Sequence, residues 1–310
     1  MNPQNVLITG GSGFIGRNLV HYQKLLGRKV TVLDLEPFPD TEAKHDRPDR
    51  HVVGDVTDPQ SIRKAAKGHD AIVHLAAQIG VPGSIEDPEK DCITNVLGTL
   101  RVPDAARLAG IEKVIVASFA APPGRAEPPA SESTVPLPVS PYGASKLAGE
   151  AYCLAYHGSY ALNTIALRFS NVYGPQAGHK ESVVAKFMKD ILTASQLGID
   201  RTGSQTRDFI FVSDLCTAID KALAADLGGE IFQIISGKET SFSELASMIT
   251  GASGYDVQIN YRPSRIGDVD RNFSYITKAR TVLNWSQAME LARGISETWN
   301  WFEENVRTAG

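Results

Sequence analysis

Tyr142 and Lys146 are the residues of this 310-residue chain best suited to do chemistry. In Tyr142-Gly143-Ala144-Ser145-Lys146 a phenol and an ammonium lie four residues apart, which puts both on one face of a helix. A cation beside a phenol stabilises phenolate, so the spacing predicts a tyrosine pKa lowered toward working pH and hence a general base. The same spacing also occurs on solvated helix faces, so its weight comes from its company. Gly10, Gly13 and Gly16 in Gly10-Gly11-Ser12-Gly13-Phe14-Ile15-Gly16 follow directly on the apolar run Val6-Leu7-Ile8-Thr9. Strand, glycine turn and helix in that order bring backbone N–H groups to a pyrophosphate, where a side chain would block approach. Asp34 closes the next apolar run, 18 residues after Gly16. Its carboxylate can accept both ribose hydroxyls and repels a 2′-phosphate, which favours NAD over NADP; the plainer reading is a solvated turn. Asp55, after a third run, suits the adenine edge. His74-Leu75-Ala76-Ala77, after a fourth, supplies small residues where backbone passes the cofactor.

Holding these groups together requires a sheet. Val6–Thr9, Lys29–Leu33, His51–Val53, Ala71–Leu75 and Lys113–Ala117 read as buried strands. Helices are predicted near Phe14–Leu26, Gln60–Lys67 and Ile93–Ala109. Near-continuous apolar strands alternating with helices predict a parallel sheet covered on both faces, an α/β doubly wound (Rossmann) fold. A helix over Pro141–His157 and a strand over Thr164–Phe169 follow. Beyond Asn171 the alternation loosens into helices near Val183–Leu192, Ser213–Ala224 and Met289–Glu304, with strands Phe209–Val212 and Ile231–Ile235. Ser241 and Glu244 form a capping-box signature for one more helix. The expected division is a cofactor-binding domain over 1–170 and a smaller substrate lobe over 171–310, with segments near 205–236 returning to the first domain.

Composition narrows the function classes. Thirty-one Lys+Arg against 35 Asp+Glu give a formal charge of −4, with no basic footprint for nucleic acid and no polybasic membrane anchor. No apolar run approaches the ~20 residues of a membrane span. The N-terminal residues lack a leader pattern, and Cys92, Cys153 and Cys216 have no metal-ligand spacing. A cytoplasmic chain with reduced thiols and no metal is expected.

With these motifs in place, the sequence resembles the extended short-chain dehydrogenase/reductase family, in its nucleotide-sugar epimerase and dehydratase branch. The matching segments are Thr9–Gly16, Asp55-Val56, His74–Ala77, Asn95–Thr99, Ser140–Lys146, Leu167–Pro175, Arg207-Asp208-Phe209 and Arg265-Ile266-Gly267-Asp268. The resemblance implies a bound NAD, a UDP-sugar substrate in a cleft under the smaller lobe, and a homodimer built on a helix pair that includes the tyrosine helix. It implies cofactor contacts from Phe14, Ile15, Val56, Asn95, Lys146 and Phe169, besides the glycines and acids above. It places Ser84, Asn171, Arg207, Arg265 and Asp268 on the sugar nucleotide, the two arginines on its diphosphate. Guanidinium forks are the physical match for such a group.

The shared first step in this branch is removal of the sugar 4-OH proton by the tyrosine while the C4 hydride passes to NAD. Dehydration and decarboxylation also need an acid directly after the catalytic Ser/Thr. Here Ala120 and Ala121 occupy those positions, which favours NAD-dependent 4-epimerisation of a UDP-hexose. The alternatives are another 4-keto-forming reaction on a nucleotide sugar (a reductase or an unusual dehydratase) and a protein that binds NAD and a UDP-sugar without turnover. The same stretch departs from the pattern. Aligned on Gly124, the family hydroxyl falls at Phe119, and Ser118 sits one place earlier, where strand alternation turns it to the other face. Ser118 is the candidate hydroxyl if the strand end re-registers; otherwise it lies against the cofactor. Seven of the 17 prolines fall between Ser118 and Tyr142 and stiffen that connection.

Overall fold

The structure is a computed structural model that describes residues 2–40, 44–119, 127–200, 202–262 and 270–306. In chain order its first half runs β1 (Asn5–Thr9), α1 (Phe14–Leu25), β2 (Lys29–Asp34), β3 (Arg50–Val53), α2 (Pro59–Ala66) and β4 (Ala71–His74). Next come α3 (Val81–Glu86), α4 (Pro88–Cys92), α5 (Gly98–Ala109), β5 (Lys113–Phe119), α6 (Pro141–Tyr160) and β6 (Asn163–Phe169). The second half holds β7 (Asn171–Tyr173), α7 (Val183–Ala194), β8 (Gln196–Asp200), β9 (Thr206–Arg207), β10 (Phe209–Phe211), α8 (Val212–Ala224) and β11 (Glu230–Ile234). It closes with β12 (Thr240–Ser241), α9 (Phe242–Ser253), β13 (Gln258–Arg262), β14 (Arg271–Asn272), α10 (Thr277–Val282) and α11 (Leu291–Asn305).

Seven parallel strands form the main sheet in the order β11-β6-β5-β4-β1-β2-β3. Alternate residues of these strands point to opposite sides and both sides are apolar, which is why the runs read as continuous. Ile8, Ile115 and Ile165 meet Leu19 and Val20 of α1 and Leu215 and Ile219 of α8 in one core. Leu7, Val114 and Val116 meet Ile62 of α2, Val102 and Ala106 of α5 and Cys153 of α6 in another. The sheet is therefore doubly wound. Chain direction across the sheet reverses between β1 and β4, and ligands of such folds bind at the carboxyl ends of the strands beside that point.

A separate core lies under α7, α9 and α11, where Met188, Leu245, Ile249, Ile295 and Phe302 pack together. Phe14, from the glycine turn, is buried in that third core beside Tyr173 and Phe211. Residues 212–224 and 230–234 lie with the main sheet: α8 covers one face and β11 pairs with β6. Ser241 caps α9 through the capping box, its hydroxyl accepting from Glu244 N and the Glu244 carboxylate accepting from Ser241 N.

Several boundaries differ from the pattern. The helix expected over Ile93–Ala109 begins at Pro88 and passes through a π-helical turn at Ile93–Leu97 before α5. β5 runs on through Ser118 and Phe119, in register with Arg168 and Phe169. The strand expected to end at Val212 ends at Phe211, because Val212 already begins α8.

Candidate active site

The glycine turn joins β1 to α1 at the reversal point. Gly10 has φ +71°, and a Cβ there would stand 2.6 Å from the Ala76 nitrogen, so only glycine lets β1 and β4 deliver their following loops side by side. A Cβ on Gly16 would stand 2.3 Å from the Gly10 carbonyl oxygen, which fixes the close turn-to-helix approach. Gly13 has only the Gly10 carbonyl near its open side, at 3.5 Å. Asp34, at the end of β2, accepts from Ser12 N at 2.8 Å and from Glu36 N at 3.2 Å. Its carboxylate is thereby fixed beside the glycine turn, where the sequence reading puts a ribose. An open Gly13, a helix N-terminus and an anchored acid together fit a dinucleotide. Leu75 N donates to Thr9 O, and Ala76 N to Thr9 Oγ1 at 3.4 Å, so the Leu75–Ala77 segment lies along the same edge. Val56 is buried against the start of α5. Asp55 accepts from Thr57 N at 2.7 Å and shapes the turn that follows β3.

α6 brings the reactive pair to this edge. Ser140 caps it by accepting from Gly143 N, and Pro141 begins it, so Tyr142 enters on the first turn. Tyr142 and Lys146 are both buried, and the Lys146 ammonium lies 5.7 Å from the Tyr142 ring centre. Lys146 Nζ donates to the carbonyl of Ala117, on β5, at 3.3 Å. Burial pushes Lys146 down to about 8, against the opposing charges of Asp91 and Glu150. Burial likewise pushes the Tyr142 phenol above its ordinary range, and Asp91 adds to the rise. The expected lowering of the tyrosine by its lysine is thus outweighed in the chain itself. Desolvation disfavours phenolate and ammonium alike, and it is the leading effect on both.

Ser118 stays in strand register, without the shift that would turn it to the sugar. Its hydroxyl donates to Glu150 Oε1 at 2.6 Å, inside a fully buried group in which Arg168 Nε and Nη2 each meet the same carboxylate at 2.7 Å. The strand end keeps its register, and the pleat turns Ser118 onto α6 one turn beyond Lys146. Phe119 stands next to Tyr142 instead, its ring 5.8 Å from the phenol ring. Ser84 also differs from expectation. It is fully enclosed in α3 with its hydroxyl donating to Val81 O at 2.8 Å.

Asn95 lies in the π-helical turn, 1% exposed. Its Oδ1 accepts from Gln78 N and its Nδ2 donates to Gln78 O, both at 2.9 Å, and the same Nδ2 donates to Asp91 Oδ1 at 2.7 Å. Turns of this kind often mark functional positions. His74 bridges Thr9 Oγ1 and Thr99 Oγ1, and burial and Lys146 hold it neutral, its pKa lowered to about 3. Phe169 is buried at the end of β6. Asn171 donates to Asp208 O at 3.1 Å, so β7 and the Arg207-Asp208-Phe209 stretch are tied together. The Arg207 guanidinium lies 5.6 Å from the Phe242 ring centre and donates to Thr206 O. Asp208 accepts from Ser236, Gly237 and Lys238 N, and its pKa is raised to about 6 by burial. Arg265 and Asp268 lie outside the described residues.

Glu150, Arg168 and Asp91 were not singled out from the sequence. Glu150 follows Lys146 by four residues, as Lys146 follows Tyr142, and that continued spacing was the available signal. Asp91 carried none: it reads as one more charge in the polar stretch Glu86–Asp91. Among the described residues, no three His, Cys, Asp or Glu side chains converge as a metal site, and no helix is long and apolar enough to cross a membrane.

A doubly wound sheet, a glycine turn against an anchored acid, and a buried Tyr-Lys pair at the same edge define a dinucleotide-dependent enzyme. The chain belongs to the NAD dependent epimerase/dehydratase family, whose model matches residues 6–234. It is 38% identical over 308 residues to a UDP-glucose 4-epimerase of Mycolicibacterium smegmatis, covering 96% of this chain and 97% of that one. It is also 32% identical to a dTDP-glucose 4,6-dehydratase of Streptomyces niveus, covering 97% and 93% respectively. The crystal structure of a UDP-glucose 4-epimerase with UDP-glucose from Thermotoga maritima matches with a TM-score of 0.90 at 30% identity, covering 97% of this chain and 99% of that one.

Proposed function

We propose that the protein is an NAD-dependent 4-epimerase of a UDP-hexose. The observation that carries this reading is the buried Tyr142-Lys146 pair at the carboxyl edge of the sheet, with Lys146 pinned to the β5 backbone. Tyr142 takes the proton of the sugar 4-OH and returns one to the 4-keto intermediate after the sugar has turned over. Lys146 holds positive charge beside the phenol through both transfers. The glycine turn and Asp34 would hold NAD, which when bound would supply the hydride acceptor and donor for C4. Asn171 and Arg207 are assigned to the sugar nucleotide, and Arg265 and Asp268 join them on the resemblance alone. Alanines at 120 and 121 provide no acid or base for elimination or decarboxylation, which favours epimerisation over the dehydration performed by the Streptomyces relative.

In this reading residues 1–170 with the returning 205–236 bind the cofactor, and the remainder of 171–310 closes over the sugar. A homodimer is assigned to α5 and α6, next to which Ile93, Leu97 and Leu154 are exposed. The cytoplasm is the compartment it implies. Phe119 beside Tyr142 favours a second reading, a protein that binds NAD and a UDP-sugar without turnover. The deciding experiment incubates the purified protein and NAD with UDP-glucose, UDP-GlcNAc or UDP-glucuronate. The 4-epimer establishes the first reading. A 4-keto-6-deoxy product makes it a dehydratase, and binding of both ligands without product establishes the second reading.

A further inference from the structure

Asp91 is a buried acid beside the Tyr-Lys pair to which the proposed reaction gives no role. It sits in α4, 1% exposed, and α4 packs on α6, the helix of Tyr142 and Lys146. Its Oδ1 accepts from Asn95 Nδ2 at 2.7 Å. That bond decides which end of the Asn95 amide faces which neighbour. With the nitrogen drawn to Asp91, the Asn95 oxygen is left to take Gln78 N and the nitrogen also reaches Gln78 O. Asp91 therefore sets the position of the segment after β4 through one intermediary.

The same carboxylate acts on the reactive pair by charge. The titratable groups around Lys146 come from every element packed on it: His74 from β4, Asp91 from α4, Tyr142 and Glu150 from α6. His74 is neutral, and Glu150 is matched by the two-pronged pairing with Arg168 of β6. Among the described residues Asp91 has no cation paired to it, and it is the largest charge opposing the effect of burial on Lys146.

We propose that Asp91 is a positioning residue whose carboxylate holds the Asn95–Gln78 clasp and supplies the counter-charge that keeps Lys146 an ammonium inside the closed site. This rests on Tyr142 and Lys146 being the working pair. Burial lowers Lys146 and Asp91 raises it, so removing the Asp91 charge moves Lys146 below its present value of about 8 and into the neutral range.

The test titrates Lys146 itself in the full-length protein with carbon-13-labelled lysine, its signal assigned by loss in Lys146→Arg. Asp91→Asn, which keeps the shape and an acceptor oxygen, is expected to lower the Lys146 pKa by about one unit. Asp91→Glu, which keeps the charge, is expected to leave it within a few tenths, and Asp91→Ser gives the same reading as Asn should that variant not fold. A Lys146 signal that titrates alike in wild type and Asp91→Asn, or moves equally in Asn and Glu variants, overturns the proposal. Turnover of UDP-glucose is measured in parallel. A shift of Lys146 in a protein that converts no sugar supports the role of Asp91 while removing the epimerase reading.

Discussion

Replacing Glu150 with Gln tests whether the buried group behind the reactive pair is a structural anchor. Glu150 and Arg168 are 1% and 2% exposed, and the carboxylate accepts three short bonds, from Ser118 Oγ and from two nitrogens of Arg168. Arg168 Nη1 already has no partner. Glutamine has nearly the same volume but only one acceptor oxygen and no charge, so the guanidinium is left buried and uncompensated. Breaking a buried pair from one side costs about 3–5 kcal/mol. At ~2.1 cal/mol/K of unfolding entropy per residue, that loss lowers Tm by roughly 5–8 °C in a chain of this length. Glu150→Gln combined with Arg168→Met removes both charges together, and such exchanges are often neutral. The double variant is therefore expected to recover most of the loss. Differential scanning calorimetry of the parent, both single variants and the double variant closes the cycle. A Glu150→Gln protein within about 1 °C of the parent, or a double variant no more stable than Glu150→Gln, would refute the anchor.

Ser118→Ala removes one donor to a charged acceptor and should cost about 1.5–3 kcal/mol of stability, read by urea unfolding, while kcat on the sugar that is converted stays within twofold. A large fall in kcat would restore Ser118 as a substrate-facing hydroxyl. Phe119→Ser places a hydroxyl next to Tyr142 and is expected to raise turnover, by up to about 10²-fold if it donates as such groups do in preorganised sites; unchanged or lower turnover shows that another group fills the role. Asp34→Ala frees Ser12 N and removes the acceptor for ribose hydroxyls. Calorimetric titration should then show weaker NAD binding and a smaller preference over NADP, and an unchanged ratio would place the ribose elsewhere.

The sheet was legible because its signal is redundant: seven strands of apolar residues, most of them separated by a helix, all ask to be buried in one sheet covered on both faces. The juxtaposition of candidate groups was legible for a related reason, since Tyr142, Lys146 and the glycine turn are local motifs. The misread residues have meanings set by partners far along the chain. Ser118 could be given either face on paper, and Arg168, fifty positions later, supplied with Glu150 the cation and acid that claimed it. Ser84 was given to the sugar by the resemblance alone, and its enclosure in α3 left no signal, because six-residue helices have too few turns to show a period. The two-residue strands β9, β12 and β14 are fixed by pairing with one another and left no pattern of their own. Most instructive is Tyr142. The adjacent cation was visible in sequence, but the depth of burial that overrides it was not.

Phe14 follows the glycine turn directly, yet its ring is buried among Tyr173, Phe211 and the α7–α11 core. The loop that would grip the cofactor phosphates therefore cannot loosen without pulling an aromatic ring out of the opposite half, a loss of about 1.5–3 kcal/mol in burial alone. Loosening of the grip is thereby coupled to the packing of the other half. Phe14→Ala should therefore speed exchange of the Arg17 amide, which donates to Gly13 O, and release of the nucleotide, by the roughly 10–10²-fold to which ~1.5–3 kcal/mol corresponds.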